Sequence, residues 1–290
     1  MNADFSHVTI LGGGLLGGSL CLALSGEGAL ENPPHVTLWA RREETAEEAR
    51  QSGIPHATTD LAAAVKDAKL IVLAVPVGAM PALVSQIVAA GVPENCLFTD
   101  VGSVKGVPHR EIPPLLAPHR LPFIGSHPMA GSERNGLSAI DRDLFNDAAC
   151  LLTNDENAPA PLAEALERFW QAIGCRTSWM SAAAHDSLVA RISHLPHILA
   201  ASGARVCLQT PADGKFGGGG LRDTTRVAGG NPTMWAEILT ENREALIGPL
   251  QETLADLRSL LANLETGDQN AVLHWLEHAK TLRSALAPSR

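Results

Sequence analysis

The 290-residue sequence contains no apolar stretch that reaches membrane-spanning length. Its N-terminus runs from Met1 through Asp4 straight into the apolar run from Val8 to Leu11, with neither a basic leader nor a cleavage site, so a cytoplasmic protein without membrane contact is expected. Cysteine is sparse. Cys21, Cys96, Cys150, Cys175 and Cys207 are odd in number and include no CxxC pair, which argues against a disulfide framework or a metal site and suits buried thiols in a reducing compartment. Lysine occurs only five times in a chain of formal charge -9, too few to build the clustered cationic surface that nucleic acid requires. What is plentiful is hydrophobic side chain, 45% of the residues, enough for a real core and, at this length, suited to two domains.

Short apolar runs ended by Gly, Pro or Asp recur through the first part of the chain: HVTILGGG, HVTLWA, KLIVLAVP, NCLFTDVG, LPFIGSHP, ACLLTND and CRTSWM. Each reads as a strand, and helical patterns separate most of them, which predicts βαβ units around a parallel sheet buried on both faces. After about Ser181 the strand signals stop. Apolar residues then recur at helical spacing over 185–209, about 233–264 and 269–286, most clearly in the stripe Leu246, Leu250, Leu254, Leu257, Leu261 and Leu264.

In ILGGGLLGGSL, Gly12, Gly14 and Gly17 satisfy GxGxxG between a predicted strand and a predicted helix. That context gives a tight turn, a close backbone approach to a pyrophosphate and a helix N-terminus to receive the anion, with Leu15 and Leu16 in the same cradle. The fold class is therefore α/β: a Rossmann-type dinucleotide-binding domain over 1–180 followed by an all-α domain over 181–290. At the end of the second strand, where NAD-binding proteins usually carry an acidic residue, the sequence reads TLWARREE. Arg41 and Arg42 stand where a 2′-phosphate would lie, which favours NADP; a solvated turn in which they pair with Glu43 and Glu44 leaves NAD open.

Two later strand ends carry polar residues: Asp100, Ser103 and Lys105 in TDVGSVK, and Ser126, His127 and Glu133 in FIGSHPMAGSE. Strand carboxyl ends face the ligand crevice of an open α/β sheet, and a histidine there can take a proton as hydride leaves. Asp100 and Lys105 read as a structural pair. His194 and His197 share a helix face around Pro196 with no third ligand at a convincing spacing, so no metal site is expected.

GGGLLGGSL, DVGSVK, GSHPMAGSE, HD followed by ISHLPH, and GGLRDTTRVAGGNPTMW, in this order, resemble the prephenate and arogenate dehydrogenase family of tyrosine biosynthesis. The resemblance runs by motif from about Val8 to Trp235. It implies that His127 is the general base on the substrate's ring hydroxyl and that Ser103 contacts that histidine or the hydroxyl. It further implies that His197 lines the substrate pocket and that Arg226 binds a substrate carboxylate. Glu133 and Asp223 match acidic positions of a gate at the pocket mouth, and Trp235 is equally a core residue or a pocket wall. The expected reaction is the NADP-linked oxidative decarboxylation of prephenate to 4-hydroxyphenylpyruvate, with arogenate to tyrosine as the alternative. The α-helical domain is expected to bind substrate and to join a homodimer. With no chorismate mutase segment before Val8 and no regulatory domain near residue 290, the short, monofunctional form is expected. A β-hydroxyacid-type dehydrogenase is a weaker reading, since only Lys215 and Lys280 fall in the helical part. A silent dinucleotide sensor would have little reason to keep His127, Ser103 and Arg226 together.

Overall fold

The computed structural model describes residues 5–25, 32–131 and 136–286. β1 (His7–Leu11), β2 (His35–Trp39), β3 (Ala57–Thr58), β4 (Leu70–Leu73) and β5 (Leu97–Asp100) form one sheet in the order β3-β2-β1-β4-β5, with every pairing parallel. The central runs are continuous in hydrophobic residues because both faces are covered. One apolar cluster holds Ile10, Leu20, Leu38, Val72 and Trp170, and the other holds Leu11, Ile71, Leu73, Val84 and Phe98. The chain reverses its order across β1 and β4, so the crevice at their carboxyl ends is the switch point at which such sheets take ligands.

β6 (Gly125–Pro128), β7 (Ala149–Thr153) and β8 (Arg176–Trp179) correct the expectation of a single parallel array. They form a second sheet, with β6 antiparallel to β7 and β7 parallel to β8. A parallel neighbour needs a crossover, usually a helix, and the described part of the β6–β7 connection holds only the 3₁₀ turn Leu137–Ala139. The second sheet is anchored beside β5: Phe98 N donates to Pro122 O at 2.9 Å, Ile124 N to Phe98 O at 3.0 Å, and the Thr99 and Ser126 hydroxyls bond at 2.7 Å. His127 therefore leaves β6 next to the carboxyl end of β5.

The rest is helical: Ala182–Val189, a π-helical turn Ala190–His194, Leu195–Cys207, Gly219–Thr225, Pro232–Glu241, Arg243–Thr266 and Gln269–Ser284. The single helix read over about 233–264 is two, broken at Asn242, whose buried amide is committed to partners on other helices. Helix Pro232–Glu241 is fastened to the loop after β4, where Gly78 N donates to Glu237 Oε1 at 2.6 Å. Burial, reinforced by Glu237 and Glu111, pushes the neighbouring Glu241 carboxyl up to about 7. On the long helix Leu246 is buried, but Leu254, Leu257, Leu261 and Leu264 are exposed, as are Leu273, Leu276 and Leu282 on the last one. No helix among the described residues is long and apolar enough to cross a membrane.

Candidate active site

The three glycines after β1 have different duties. Gly12 has φ +130°, which side chains rarely adopt, and a Cβ there would overlap the carbonyl oxygen of Ala74 at the end of β4. A Cβ on Gly17 would overlap the Gly12 carbonyl oxygen, so both glycines bring the helix Leu15–Ser25 close against the sheet. Gly14 is different: nothing lies within 4 Å of where its Cβ would be. That clearance, at a helix start flanked by half-buried Leu15 and Leu16, suits a pyrophosphate lying against free backbone N–H groups.

At the end of β2, Trp39 and Ala40 are buried while Arg41 and Arg42 are exposed. Glu43 does not neutralise them. It is held by Arg50 Nη2 at 2.6 Å and accepts from Thr59 Oγ1 at 3.1 Å, and Arg42 Nη2 donates to Thr45 Oγ1 at 3.4 Å.

His127, buried on β6, stands at the head of a proton chain. Its Nδ1 lies 2.8 Å from His185 Nε2, and His185 Nδ1 lies 2.8 Å from Asp186 Oδ1. Asp186 Oδ1 also accepts from Lys105 N at 2.7 Å, and its Oδ2 accepts from Gly106 N at 2.8 Å. Burial alone would raise the Asp186 carboxyl, but the His185 bond and these two amides hold it below its ordinary value. An ionised carboxylate can only accept, so the proton of neutral His185 sits on Nδ1 and its Nε2 is an acceptor. His127 must then donate from Nδ1, which leaves its Nε2 with a bare lone pair. Burial, the Lys105 charge and the imidazoles of His185 and His194 keep His127 well below the ordinary histidine value, hence neutral. A buried neutral imidazole with a fixed tautomer is a base in its working form.

Beneath it, Lys105 Nζ pairs with Asp100 Oδ2 at 2.5 Å, with both side chains fully buried, and also donates to Gly102 O at 2.9 Å. Asp100 Oδ2 accepts from Gly102 N at 2.8 Å, and its Oδ1 accepts from Ser126 N at 3.3 Å. The pair shapes the loop after β5 and underpins β6. Ser126 is further held by Trp170 Nε1 at 3.0 Å.

Ser103 is half-buried in that loop, and no described residue bonds its hydroxyl; His127 gives its Nδ1–H to His185. In the helical part, His197 stacks on Trp235 with ring centroids 3.6 Å apart and an 8° tilt, so Trp235 is a wall against a histidine. Arg226 opens the 3₁₀ turn Arg226–Gly229 and is exposed, as is Asp223 on the preceding helix. Glu133 lies outside the described residues. Sequence reasoning misses the pairing of His127 with His185 and Asp186. The HD dipeptide is visible in the chain, but the strand it serves is distant. Asn242, which bridges Asp186 O at 2.9 Å and His194 Nδ1 at 3.0 Å, carries no signal at all.

Comparison with known proteins matches two family models in tandem: "Prephenate dehydrogenase, nucleotide-binding domain" over residues 31–179 and "Prephenate dehydrogenase, dimerization domain" over 181–278. The cyclohexadienyl dehydrogenase of Zymomonas mobilis is 34% identical over 289 residues, 97% of this chain and 96% of that protein. The prephenate dehydrogenase of Bacillus subtilis is 29% identical, over 99% of this chain and 77% of that protein. Among solved structures, prephenate dehydrogenase from A. aeolicus in complex with hydroxyphenyl propionate and NAD+ matches with TM-score 0.86 at 26% identity, covering 96% of this chain and 97% of that one. Synechocystis arogenate dehydrogenase matches with TM-score 0.78 at 26% identity, covering 96% and 99%.

Proposed function

This chain belongs to the prephenate dehydrogenase family, and on that premise we propose that it catalyses the NADP-linked oxidative decarboxylation of prephenate, with His127 as the general base. The observation that carries the reading is the lone pair fixed on His127 Nε2 by the chain through His185 to Asp186. A bound nicotinamide ring supplies the hydride acceptor. His127 takes the proton of the ring hydroxyl as hydride departs, and the charge it gains is met through His185 by the Asp186 carboxylate. Hydride removal leaves the ring carboxylate in a vinylogous β-keto acid equivalent, so carbon dioxide leaves as the ring becomes aromatic, and the phenolate oxygen takes its proton back from His127 to give the 4-hydroxyphenyl product. Chemistry of this kind needs positioning and proton management more than nucleophiles. Ser103 stands beside the ring hydroxyl, His197 and Trp235 wall the pocket, and Arg226 takes a substrate carboxylate as a planar fork. Gly12, Gly14, Leu15, Leu16 and Gly17 hold the pyrophosphate, and Arg41 and Arg42 hold the 2′-phosphate.

Steady-state comparison of prephenate with arogenate, each with NAD and NADP, tests the reading directly. NADP should give the higher kcat/KM, and Arg41→Asp should move preference toward NAD; equal use of both cofactors by the unaltered enzyme would sink the assignment. Arogenate is the second reading, supported by the likeness to Synechocystis arogenate dehydrogenase. The two substrates differ by a ketone against an ammonium, and the turnover ratio decides between them.

The exposed leucines of the last two helices form an apolar face of a kind monomers rarely leave open. A homodimer joined through the helical domain accounts for that face. Light scattering at micromolar concentration should return twice the 30.5 kDa chain mass, and a monomer there refutes the assembly.

A further inference from the structure

His194 is buried at 1% exposure, yet its Nε2 has no hydrogen-bond partner among the described residues. A buried ring nitrogen left unpaired is costly, so its protonation state is informative. The hydrogen bonds around it fix which nitrogen carries the proton. Asn242 Nδ2 lies 2.9 Å from Asp186 O, a carbonyl that can only accept, and this sets the orientation of the Asn242 amide. The same Nδ2 lies 3.0 Å from His194 Nδ1, so Nδ1 accepts and the proton of neutral His194 sits on Nε2. Burial lowers the His194 pKa to about 4, against the pull of Asp186, so the ring stays neutral and cannot compete as a base. The Trp235 ring, edge-on with centroids 6.2 Å away, offers no lone pair to satisfy the N–H. His194 is also tied to His127 through Asn242, Asp186 and His185.

One hydrogen-bonded network, running from His127 through His185, Asp186 and Asn242 to His194, thus carries two imidazole Nε2 atoms of opposite character, a bare lone pair on His127 and an N–H on His194. A hydroxyl group is the complementary ligand: it has one proton to give and lone pairs to accept with. We infer that His194 is a substrate-contacting residue that donates its Nε2–H to the ring-hydroxyl oxygen whose proton His127 removes. The inference rests on the proposed dehydrogenase reading and deepens it. The donor selects a hydroxylated ring, and its bond strengthens as the oxygen gains carbonyl or phenolate character, so it favours the transition state. The π-helical turn Ala190–His194 fits this role, since such turns insert a residue and re-aim side chains at functional sites.

Two substitutions separate the ring's two bonds. His194→Asn keeps an acceptor for Asn242 and removes the donor, and should lower kcat/KM on the order of tenfold or more. His194→Gln places an amide N–H near the lost Nε2 position and should recover most of that loss. Both should keep the acid limb of the rate profile, which belongs to His127, moved alike to higher pH because each removes the His194 imidazole that helps hold His127 down. A structural role alone would move stability in both variants and would not rank them this way in kcat/KM. Nitrogen NMR of the unaltered protein with NADP reads the same point without turnover. The His194 proton should sit on Nε2, and its resonance should move downfield on addition of hydroxyphenyl propionate but not of phenyl propionate. A proton on Nδ1, no response to hydroxyphenyl propionate, equal response to both compounds, or unchanged kcat/KM in His194→Asn each overturns the assignment. Failure of the wild-type enzyme to oxidise either prephenate or arogenate defeats the functional reading instead, and the NMR result still judges His194 by itself.

Discussion

Replacing His127 with asparagine is expected to lower kcat by about 10²–10⁴-fold, the usual contribution of a positioned general base, while KM stays near the wild-type value. On the proposed role, the split follows from when the interaction matters: the proton would move only as hydride leaves, so the histidine's contribution would grow in the transition state. The amide introduced by His127→Asn can still donate toward His185 Nε2, which preserves the buried chain and confines the loss to the missing lone pair. The wild-type profile carries a second signature. Because burial, Lys105 and the adjacent imidazoles depress the His127 pKa, its neutral form persists below the ordinary histidine range, and activity should fall only at more acid pH. That acid limb should vanish in the variant. A His127→Asn enzyme with near-normal kcat and the limb intact would place the base elsewhere, with His197 the first residue to test.

Lys105→Met is expected to cost about 3–5 kcal/mol of stability, because it strands the fully buried Asp100 carboxylate. Gly102 N and Ser126 N still reach that carboxylate, but neither carries a charge. Combining Lys105→Met with Asp100→Asn should restore much of the loss, since the expensive object is the unpaired charge and not the absence of the pair. Denaturant midpoints of the two single variants and the double variant measure this. There is a kinetic counterpart. After burial, the Lys105 charge is the next largest influence lowering His127. Its removal raises the His127 pKa, so the acid limb of the surviving activity should move to higher pH. A single variant as stable as wild type, with its limb unmoved, contradicts both arguments.

The parts of this fold that could be read from the chain are those whose cause is local. Gly12, Gly14 and Gly17 lie within six positions, and the strands β1, β4 and β5 announce themselves because burial on both faces forces unbroken apolar runs. Asp100 and Lys105 were legible as a pair across one short loop. What stayed hidden depends on distant partners. The direction of β6 is set by what joins it to β7, and four residues of strand carry no mark of it. β3 is only two residues long and has no periodicity to detect. His127 could be placed at a strand end, but the histidine that fixes its tautomer lies 58 positions away. Asn242 looked like an ordinary polar residue within a helical pattern because both groups that claim its amide belong to other elements.

The glycine cradle has a consequence for how this chain can drift under mutation. Gly12 and Gly17 are demanded by the polypeptide itself, since a methyl group at either would run into backbone that cannot withdraw. Selection for a folded chain alone keeps them. Gly14 faces clear space, and alanine there fits the empty protein. Only selection for the bound dinucleotide retains it. A lineage that abandoned catalysis while keeping the scaffold would shed Gly14 and hold Gly12 and Gly17. A library of variants sorted first for solubility and then for turnover should divide the three glycines along the same line.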